Sequence, residues 1–456
     1  MDSILSSFRS VFRRQAAFDW FVLVVWAFAL RLDGSGLTSL IRLYGLAPSE
    51  YYNLLHFFHS EAFSVRTLCQ RWVELVREHI PLRRLLGRPV YVIDSIVAAK
   101  AGKCMPGVKL LHQNSEANHR AEFVMGHFWS ALSVLAGTGA RVFALPLRFA
   151  LHDGLARSPS DGATALTRMG DLVVQTALEP GLVLGDCVYV CRHLIERLLA
   201  AGFHLVGRAR MTTVAYEAAV QPEKRKVGRP RKYGRKHHLR DLFAERAQFV
   251  ELEVDLYGRR QVALIREVCL YWQKHLVKFV LTVSDTGVKA IFLSTDLSLS
   301  AVEVVEAYGL RFKIEVGFRA LVQTLFGFAY RFWLKGMAKT KRNQGTTYLH
   351  RAGEAYRARV ARKVEAFERF VNLTALAQGL LQMLALEAAT QVTGRLPLWF
   401  RTVREESGPS EHLVRTTLLV EASRIIARNE PTALLNQILA KRARAPQESH
   451  PLRLAG

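Results

Sequence analysis

Residues 89–109 read Pro-Val-Tyr-Val-Ile-Asp-Ser-Ile-Val-Ala-Ala-Lys-Ala-Gly-Lys-Cys-Met-Pro-Gly-Val-Lys. The β-favouring residues 90–93 lead to Asp94, and a loop rich in Gly, Pro and Lys follows, so the carboxylate is expected where a buried strand surfaces. A second acid, Asp186, closes the apolar run 182–185, and a third, Glu315, lies in a helical pattern that begins near Ser300. We expect these three carboxylates to converge.

The elements around Asp94 and Asp186 follow a recognisable order. Residues 90–94, 123–136 and 141–149 predict three strands joined by Gly or Pro turns, which is typical of an antiparallel meander. Residues 161–178 predict a helix, 181–186 a strand, 192–201 a helix and 204–210 a strand, and this alternation favours parallel pairing. The order is that of a ribonuclease-H-like core of the α/β class.

An insertion separates the second acid from the helix that carries the third acid. Residues 224–236 contain eight Lys or Arg side chains around Gly228-Arg229-Pro230. Residues 248–256, 261–272, 276–284 and 289–294 then predict strands, so the insertion is β-rich. Ser300 and Glu303 have the spacing of a capping box that opens the helix leading to Glu315.

The two ends of the chain are predicted to be helical. Apolar residues recur at helical spacing through residues 1–85, which is compatible with a helix-turn-helix DNA reader and equally with a plain helical bundle. The expected layout is a helical N-terminal DNA-binding domain (1–85), the first part of the core (86–213), the insertion (214–296), the final core helices (297–392) and a C-terminal helical region with a basic tail (393–456).

The charge balance indicates a polyanionic partner. The 456 residues include 63 Lys and Arg against 39 Asp and Glu, a net charge of +24 with a pI near 10.2. Nucleic acid is the commonest such partner, and a membrane surface is the rival. The longest apolar run, residues 20–30, is shorter than the ~20 residues that cross a bilayer. It predicts a buried helix, with a secretory signal as the alternative.

The five cysteines are odd in number and lack Cys-x2-Cys spacing, which favours reduced thiols in the cytoplasm. Cys187 and Cys191 lie four residues apart, but no second pair completes a zinc site. We therefore expect a cytoplasmic, nucleoid-associated protein with no membrane partner.

Four side chains of the last predicted core helix share one face. Tyr308, Arg311, Glu315 and Arg319 follow at spacings of three and four residues. Such a polar face resists burial but suits a DNA phosphate beside a metal-bound carboxylate. Each acid also has a plainer interpretation, since Asp at a strand end is commonly a turn or cap residue and Glu315 could simply pair with Arg311 or Arg319.

The motifs resemble those of a known family. The run Asp94-x5-Lys100-Ala-Gly-Lys103-x-Met105-Pro106-Gly107-Val108-Lys109-x2-His112-Gln113, with Ser115-Glu116 and Gly126-His127 after it, resembles the first catalytic block of bacterial insertion-sequence DDE transposases. Gly185-Asp186-x2-Tyr189 is similar to the second block. Tyr308-x2-Arg311-x3-Glu315 resembles the third, in transposases whose β-rich insertion precedes the Glu, and Phe326-Gly327-x2-Tyr330-x-Phe332-Trp333 continues it. Val322 stands where the family signature has Lys.

The resemblance implies a cut-and-paste transposase acting on its own terminal inverted repeats, with two Mg²⁺ ions, or Mn²⁺ as a substitute, held by Asp94, Asp186 and Glu315. Double-stranded DNA is the implied substrate, bound by a homodimer at synapsis. Candidate DNA contacts are Tyr308, Arg311, Arg319, Lys100, Lys103, Lys109, the AT-hook-like Arg229, Arg231 and Lys232, and Trp272 as a base-stacking residue.

Two alternatives stay open. The first is a ribonuclease-H-like nuclease that cuts without strand transfer. The second is a DNA-binding protein descended from a transposase that has lost the chemistry, which Val322 favours. An acid on the far side of the sheet, or one paired with an arginine in a dry interior, would exclude catalysis.

Overall fold

The computed structural model describes residues 1–112, 122–139, 141–152, 154–158, 164–219, 231–256, 259–395, 408–428 and 433–442, with the backbone alone over 423–428. The strands are β1 (Arg84–Leu85), β2 (Arg88–Ala99), β3 (Lys109–His112), β4 (Phe123–Thr138), β5 (Arg141–His152), β6 (Leu182–Gly185), β7 (His204–Ala209), β8 (Val214–Ala218), β9 (Tyr233–His238), β10 (Val250–Leu256), β11 (Arg259–Trp272), β12 (His275–Ser284) and β13 (Lys289–Ser294). The α-helices are α1 (Asp2–Ser6), α2 (Gln15–Leu30), α3 (Thr38–Leu43), α4 (Glu50–His59), α5 (Val65–His79), α6 (Ala165–Thr176), α7 (Arg192–Ala200), α8 (Ala301–Leu310), α9 (Phe312–Gln323), α10 (Glu354–Glu387), α11 (Ala389–Gly394), α12 (Glu411–Arg428) and α13 (Leu434–Arg442).

The described strands form one large mixed sheet. Its order is β3-β4-β2-β6-β7-β13-β12-β11-β8-β9, with β5 also paired to β4, β1 to β2 and β10 to β11. The pairs β2–β4 and β4–β5 are antiparallel, whereas β2–β6 and β6–β7 are parallel. The helices α6 and α7 connect β5 to β6 and β6 to β7, as the alternation of strands and helices predicted.

The inserted strands extend this sheet. β13 pairs antiparallel with β7, and β12, β11 and β8 follow outward. Strands were expected at four places in the insertion, and all four are present as β10 to β13. The sequence analysis missed β8 and β9, because Val214–Ala218 is short and Tyr233–His238 is rich in Lys, Arg and His, which reads as a loop.

The helix α10 is the longest helix in the described part of the chain. It spans 34 residues and packs against α2 and β5, with Val371, Leu376 and Leu380 buried as the apolar stripe predicted. Among the described residues it is the one helix long and apolar enough to cross a membrane by length and composition, and 83% of its most apolar window is buried inside the protein. Core packing therefore accounts for its apolar character. The apolar run near the N-terminus likewise forms the buried helix α2.

Two predicted boundaries were wrong near the site. Asp94 does not end its strand: β2 continues to Ala99, because β4 remains paired with it over that whole length. The helix from Ser300 has the expected capping box, but it is interrupted, and Arg311 lies at the junction between α8 and α9.

Candidate functional site

The parallel pairing of β2 with β6 brings Asp94 and Asp186 to the same edge. The register aligns Val92 with Leu184, and each acid lies two residues further along its own strand direction. β6 ends at Gly185, so β2 has no neighbour on that side where it carries Asp94. The end of the neighbouring strand, and not the end of β2 itself, exposes this carboxylate.

Local hydrogen bonds orient both aspartates. The backbone N–H of Ser95 donates to Asp94 Oδ1 over 2.7 Å, and the N–H of Cys187 donates to Asp186 Oδ1 over 2.7 Å. Asp186 thereby caps the short 3-10 helix Cys187–Tyr189. One oxygen of each carboxylate is held by the backbone, which fixes the side-chain direction.

The helix pair α8–α9 brings the third acid to the same edge. Arg311 donates from Nη1 to Asp94 Oδ2 over 3.1 Å and from Nη2 to Glu315 Oε1. Tyr308 donates its hydroxyl to Asp186 Oδ1 over 3.4 Å. The three acids that the sequence singled out are therefore linked through Tyr308 and Arg311, which belong to the same predicted helix face.

The site is half-buried. The side chains of Asp94, Glu315 and Arg311 keep 21%, 41% and 14% of their surface exposed. The arginine pairing that would have excluded catalysis thus occurs, but at an open edge of the sheet and not in a dry interior. The carboxylates of Asp94 and Glu315 are therefore accessible to solvent.

Burial shapes the protonation of the site. Desolvation raises the pKa of Asp94 to about 6; the Ser95 bond and Arg311 lower it, and the charges of Glu315 and Asp186 add to the rise. Burial alone would lower the pKa of Arg311, yet the bond to Glu315 and nearby negative charges raise it. Arg311 therefore stays protonated and neutralises part of the carboxylate charge.

The donor set fits divalent ions in chemical type. Three carboxylates supply the hard oxygen ligands that Mg²⁺ and Mn²⁺ prefer, and the guanidinium of Arg311 lies where positive charge is stabilised between Asp94 and Glu315. In the described part of the chain, no group of three or more His, Cys, Asp or Glu side chains is close enough to hold a metal ion. Arg311 instead donates to Asp94 and Glu315.

The raised pKa of Asp94 predicts the effect of Asp94→Asn on stability in EDTA. The pKa of Asp94 in the folded state (about 6) exceeds the ordinary value of 3.8. Ionising Asp94 therefore costs the folded state stability as pH rises from about 4 to about 6, and this loss remains at higher pH. The variant, which imitates the protonated acid, should raise the free energy of unfolding by about 1–2 kcal/mol at pH 8 and by almost nothing below pH ~4. Urea unfolding at both pH values measures this.

Asp33→Asn is the matched control with the opposite sign. Bonds from Ser35 and then Arg42 lower the pKa of Asp33 to about 2, so its stabilisation is present above pH ~4 and disappears as pH falls through 2. This variant should lose stability at pH 8. If Asp94→Asn lowered the free energy of unfolding at pH 8, this would contradict the conclusion that burial makes the charged form of Asp94 unfavourable.

Lys100 requires a correction among the candidate DNA contacts. Its ammonium donates to the carbonyls of Phe328 and Tyr330 and lies 3.6 Å from the centre of the Tyr330 ring. Burial, followed by the charge of Arg331, lowers its pKa to about 7. Lys100 therefore anchors the chain after α9, and its ammonium is directed to these carbonyls.

The other predicted cations differ in exposure. Lys103, Arg319, Arg231 and Lys232 are exposed, and Lys109 is half-buried beside Gly154. Their DNA contacts stay predictions. Arg229, Gln113, Ser115 and Glu116 lie outside the described residues.

Trp272 is not brought near the acids. It pairs with His275 at the tip of the β11–β12 hairpin, whereas the row of aligned residues through Asp186 crosses β11 at Glu267. Trp272 is five residues further along β11, in the direction away from the acids, roughly 17 Å along the strand in addition to the width of several strands. It is half-buried against the core.

Two further residues belong to the site: Tyr189, whose contact with β2 was not foreseen, and Arg208, which was not predicted at all. Tyr189 was noted within the second block, but its hydroxyl also lies 2.5 Å from Ser95 Oγ, which joins the turn after β6 to β2. Arg208 is aligned with the position after Gly185 by the β6–β7 register and is exposed at the edge that holds Asp186. A charged residue near the end of an apolar strand was the available signal.

The chain is similar to a known sequence family and to solved structures. A sequence model of the family described as DDE superfamily endonuclease matches residues 7–264, which include Asp94 and Asp186 and stop before Glu315. A solved structure, the cryo-EM structure of the piggyBac transposase synaptic complex with hairpin DNA, is similar at 12% identity and a TM-score of 0.38, over 98% of this chain and 85% of that chain. None of the curated proteins compared with the chain matches it.

Proposed function

Because this chain belongs to the DDE superfamily endonuclease family, we propose that it is a transposase that cleaves and joins DNA at the terminal inverted repeats of an insertion sequence. Its chemistry would be Mg²⁺-dependent strand cleavage followed by strand transfer. The single observation that carries the proposal is the convergence of Asp94, Asp186 and Glu315 at one open edge of the sheet, linked through Tyr308 and Arg311.

We assign the catalytic core to the ribonuclease-H-like class. The strand order β5-β4-β2-β6-β7, with two antiparallel pairs followed by two parallel pairs, supports this assignment. Residues 86–213 and 297–392 would form the core, 214–296 the insertion, 1–85 the DNA-binding domain and 393–456 the C-terminal region.

Asp94, Asp186 and Glu315 would hold two divalent ions, Mg²⁺ with Mn²⁺ as a substitute. Bound between these carboxylates, such ions activate the attacking oxygen and neutralise the leaving one. The backbone bonds from Ser95 and Cys187 engage only Oδ1 of each aspartate, so Oδ2 of Asp186, and Oδ2 of Asp94 once Arg311 releases it, would be available as ligands. The hydroxyl of Tyr308 keeps Asp186 oriented.

Arg311 would change partners when DNA binds. Its guanidinium is bidentate toward two carboxylates in the free protein, and the same planar fork fits two phosphate oxygens. Arg319, one turn beyond Glu315 and exposed, would bind a neighbouring phosphate. These two cations could supply the charge that Val322, 43% exposed on α9, does not.

The DNA partner follows from charge and family. A net charge of +24 favours a polyanion, and an endonuclease of this family acts on a phosphodiester. We propose a homodimer that joins two transposon ends, in a cytoplasmic, nucleoid-associated setting.

The test is to incubate the protein with its own element's flanking DNA and Mg²⁺, and to map every 5′ and 3′ end. We expect cuts at both element boundaries and joined products with a supercoiled target plasmid when pre-cut ends are supplied. Cuts without joining would identify a nuclease that lacks strand transfer. DNA binding without any metal-dependent nick would favour the inactive DNA-binding descendant, for which Val322 is the specific observation.

A further inference from the structure

The segment between α9 and α10 crosses the protein surface as a fixed strap, defined here as residues 331–351. Apart from the 3-10 turn Leu349–Arg351 it has no regular secondary structure. Backbone hydrogen bonds nevertheless tie it to two loops beside β3 and β5: Leu334 N to Cys104 O, Thr340 N to Lys103 O, Leu110 N to Gln344 O, Thr347 N to Gly154 O, Ala156 N to Thr347 O and His350 N to Ala156 O.

The beginning of the strap alternates between core and solvent. Tyr330, Phe332 and Leu334 are buried, and the intervening side chains of Arg331, Trp333 and Lys335 are exposed. Trp333 keeps 62% of its surface exposed although it is flanked by buried neighbours. An extended chain with this period of two presents its outward side chains in a row.

The outward surface of the strap is strongly cationic. It carries six Lys or Arg residues and no Asp or Glu: Arg331, Lys335, Lys339, Lys341, Arg342 and Arg351. Within the described part of the chain none of these six makes an ion pair with a carboxylate, whereas Arg42, Arg84, Arg192 and Arg197 each do. Their charge is therefore available to an external anion.

The residue that leads into the strap, Tyr330, packs on the same sheet face as Asp94. Asp94, Ile96 and Ala98 point to one face of β2, and their antiparallel partners on β4 include Trp129 and His127. Both of these contact Tyr330, which leads into the strap: Trp129 Nε1 donates to its hydroxyl over 3.3 Å, and that hydroxyl lies 2.7 Å from His127 Nδ1.

The spacing from the acids suits a continuous DNA strand. Lys100, which contacts Tyr330, lies six residues beyond Asp94, about 20 Å along an extended chain. Each strand of a DNA duplex advances about 3.4 Å per nucleotide along the helix axis, so in a duplex this distance corresponds to about six nucleotides. A strand whose phosphate reaches the acids can therefore continue over the strap.

We propose that the strap binds the DNA strand on one side of the reacting phosphodiester, with Trp333 stacked on an unpaired base and Arg331 and Lys335 on the adjoining phosphates. An exposed aromatic ring between cations is the arrangement that single-stranded nucleic acid recognises. The proposal rests on the DNA-processing function proposed above, and it gives base stacking to Trp333 in place of Trp272.

The test compares variants for binding to two fluorescein-labelled DNAs of arbitrary sequence in EDTA, a blunt duplex and a fork with a single-stranded arm. Trp333→Ala should weaken binding to the fork by about tenfold and binding to the duplex far less, because stacking on an unpaired base is lost. Trp333→Phe should restore most of the affinity. Lys335→Ala should reduce the slope of log K against log salt concentration by about 0.7 for the fork.

Arg84→Ala is the matched control, since it removes one exposed cation beside β2 at the end far from the acids. It should leave fork binding and its salt slope unchanged. If wild type binds the fork but Trp333→Ala and Lys335→Ala match it, the strap proposal is wrong and the proposed function stands. If wild type binds neither DNA, the proposed function fails first. An equal loss with Trp333→Phe would show a packing effect and would also overturn the proposal.

Discussion

Alanine in place of Asp94, Asp186 or Glu315 is expected to abolish Mg²⁺-dependent strand cleavage, each variant losing at least about 1,000-fold in rate. Removing one carboxylate of three deprives the transition state of several kcal/mol of charge stabilisation. DNA retardation in EDTA should be kept or improved, because each change removes a negative charge from the surface that is proposed to face phosphates. Cleavage of labelled terminal-repeat DNA and gel retardation measure the two effects separately.

Asp285→Ala is the control for this series. Asp285 is exposed in the turn between β12 and β13 and bonds the N–H of Thr286, so the change removes an acid without touching the site. It should cleave as wild type does. Cleavage at the wild-type rate by any one of the three site variants would refute the assignment of that residue, and failure of all variants to bind DNA would point to misfolding.

Arg369→Ala is expected to cause the largest loss of stability, about 3–5 kcal/mol in the free energy of unfolding. Arg369 on α10 is 1% exposed and donates to the carbonyl of Phe58 in the last turn of α4 and to those of Ser60 and Phe63 just after it. Alanine leaves these carbonyls without their donor and opens a cavity beside Phe63. Urea unfolding followed by circular dichroism measures the change.

Arg362→Ala is the control on the same helix, because it removes the same charge from an exposed position. Arg362 is exposed, two turns earlier on α10, so its loss should change the free energy of unfolding by less than about 0.5 kcal/mol. A loss below about 1 kcal/mol for Arg369→Ala would show that the three carbonyls find water or other donors. The junction between the N-terminal helices and α10 would then depend on apolar packing alone.

Much of the core could be predicted because its strands are apolar and its turns contain Gly or Pro. The strands that carry Asp94 and Asp186 were found in this way, and Ser300 with Glu303 marked the start of α8. The exposure of Asp94 was predicted for the wrong reason. β2 runs on past it, and only the length of a neighbouring strand, which no local pattern encodes, opens that edge.

The sequence could not separate cations that bind DNA from cations that hold the fold. Arg31, Arg369 and Arg415 are buried and donate to backbone carbonyls, and Lys100 is held by Tyr330. In the amino-acid composition these four residues count toward the excess of positive charge, and that excess was taken to indicate a polyanionic partner. Their role depends on carbonyls left free at the ends of helices far away in sequence, and such partners appear only once the chain is folded.

The most direct measurement of the central claim is iron-mediated cleavage of the protein backbone. Fe²⁺ replaces Mg²⁺ at carboxylate sites, and with ascorbate and peroxide it generates hydroxyl radicals that cut the chain near the bound ion. If the three acids share one metal site, cuts will appear near residues 94, 186 and 315 together, and excess Mg²⁺ will suppress all of them. Cuts near only one of these positions, or cuts that Mg²⁺ does not suppress, would contradict a shared metal site.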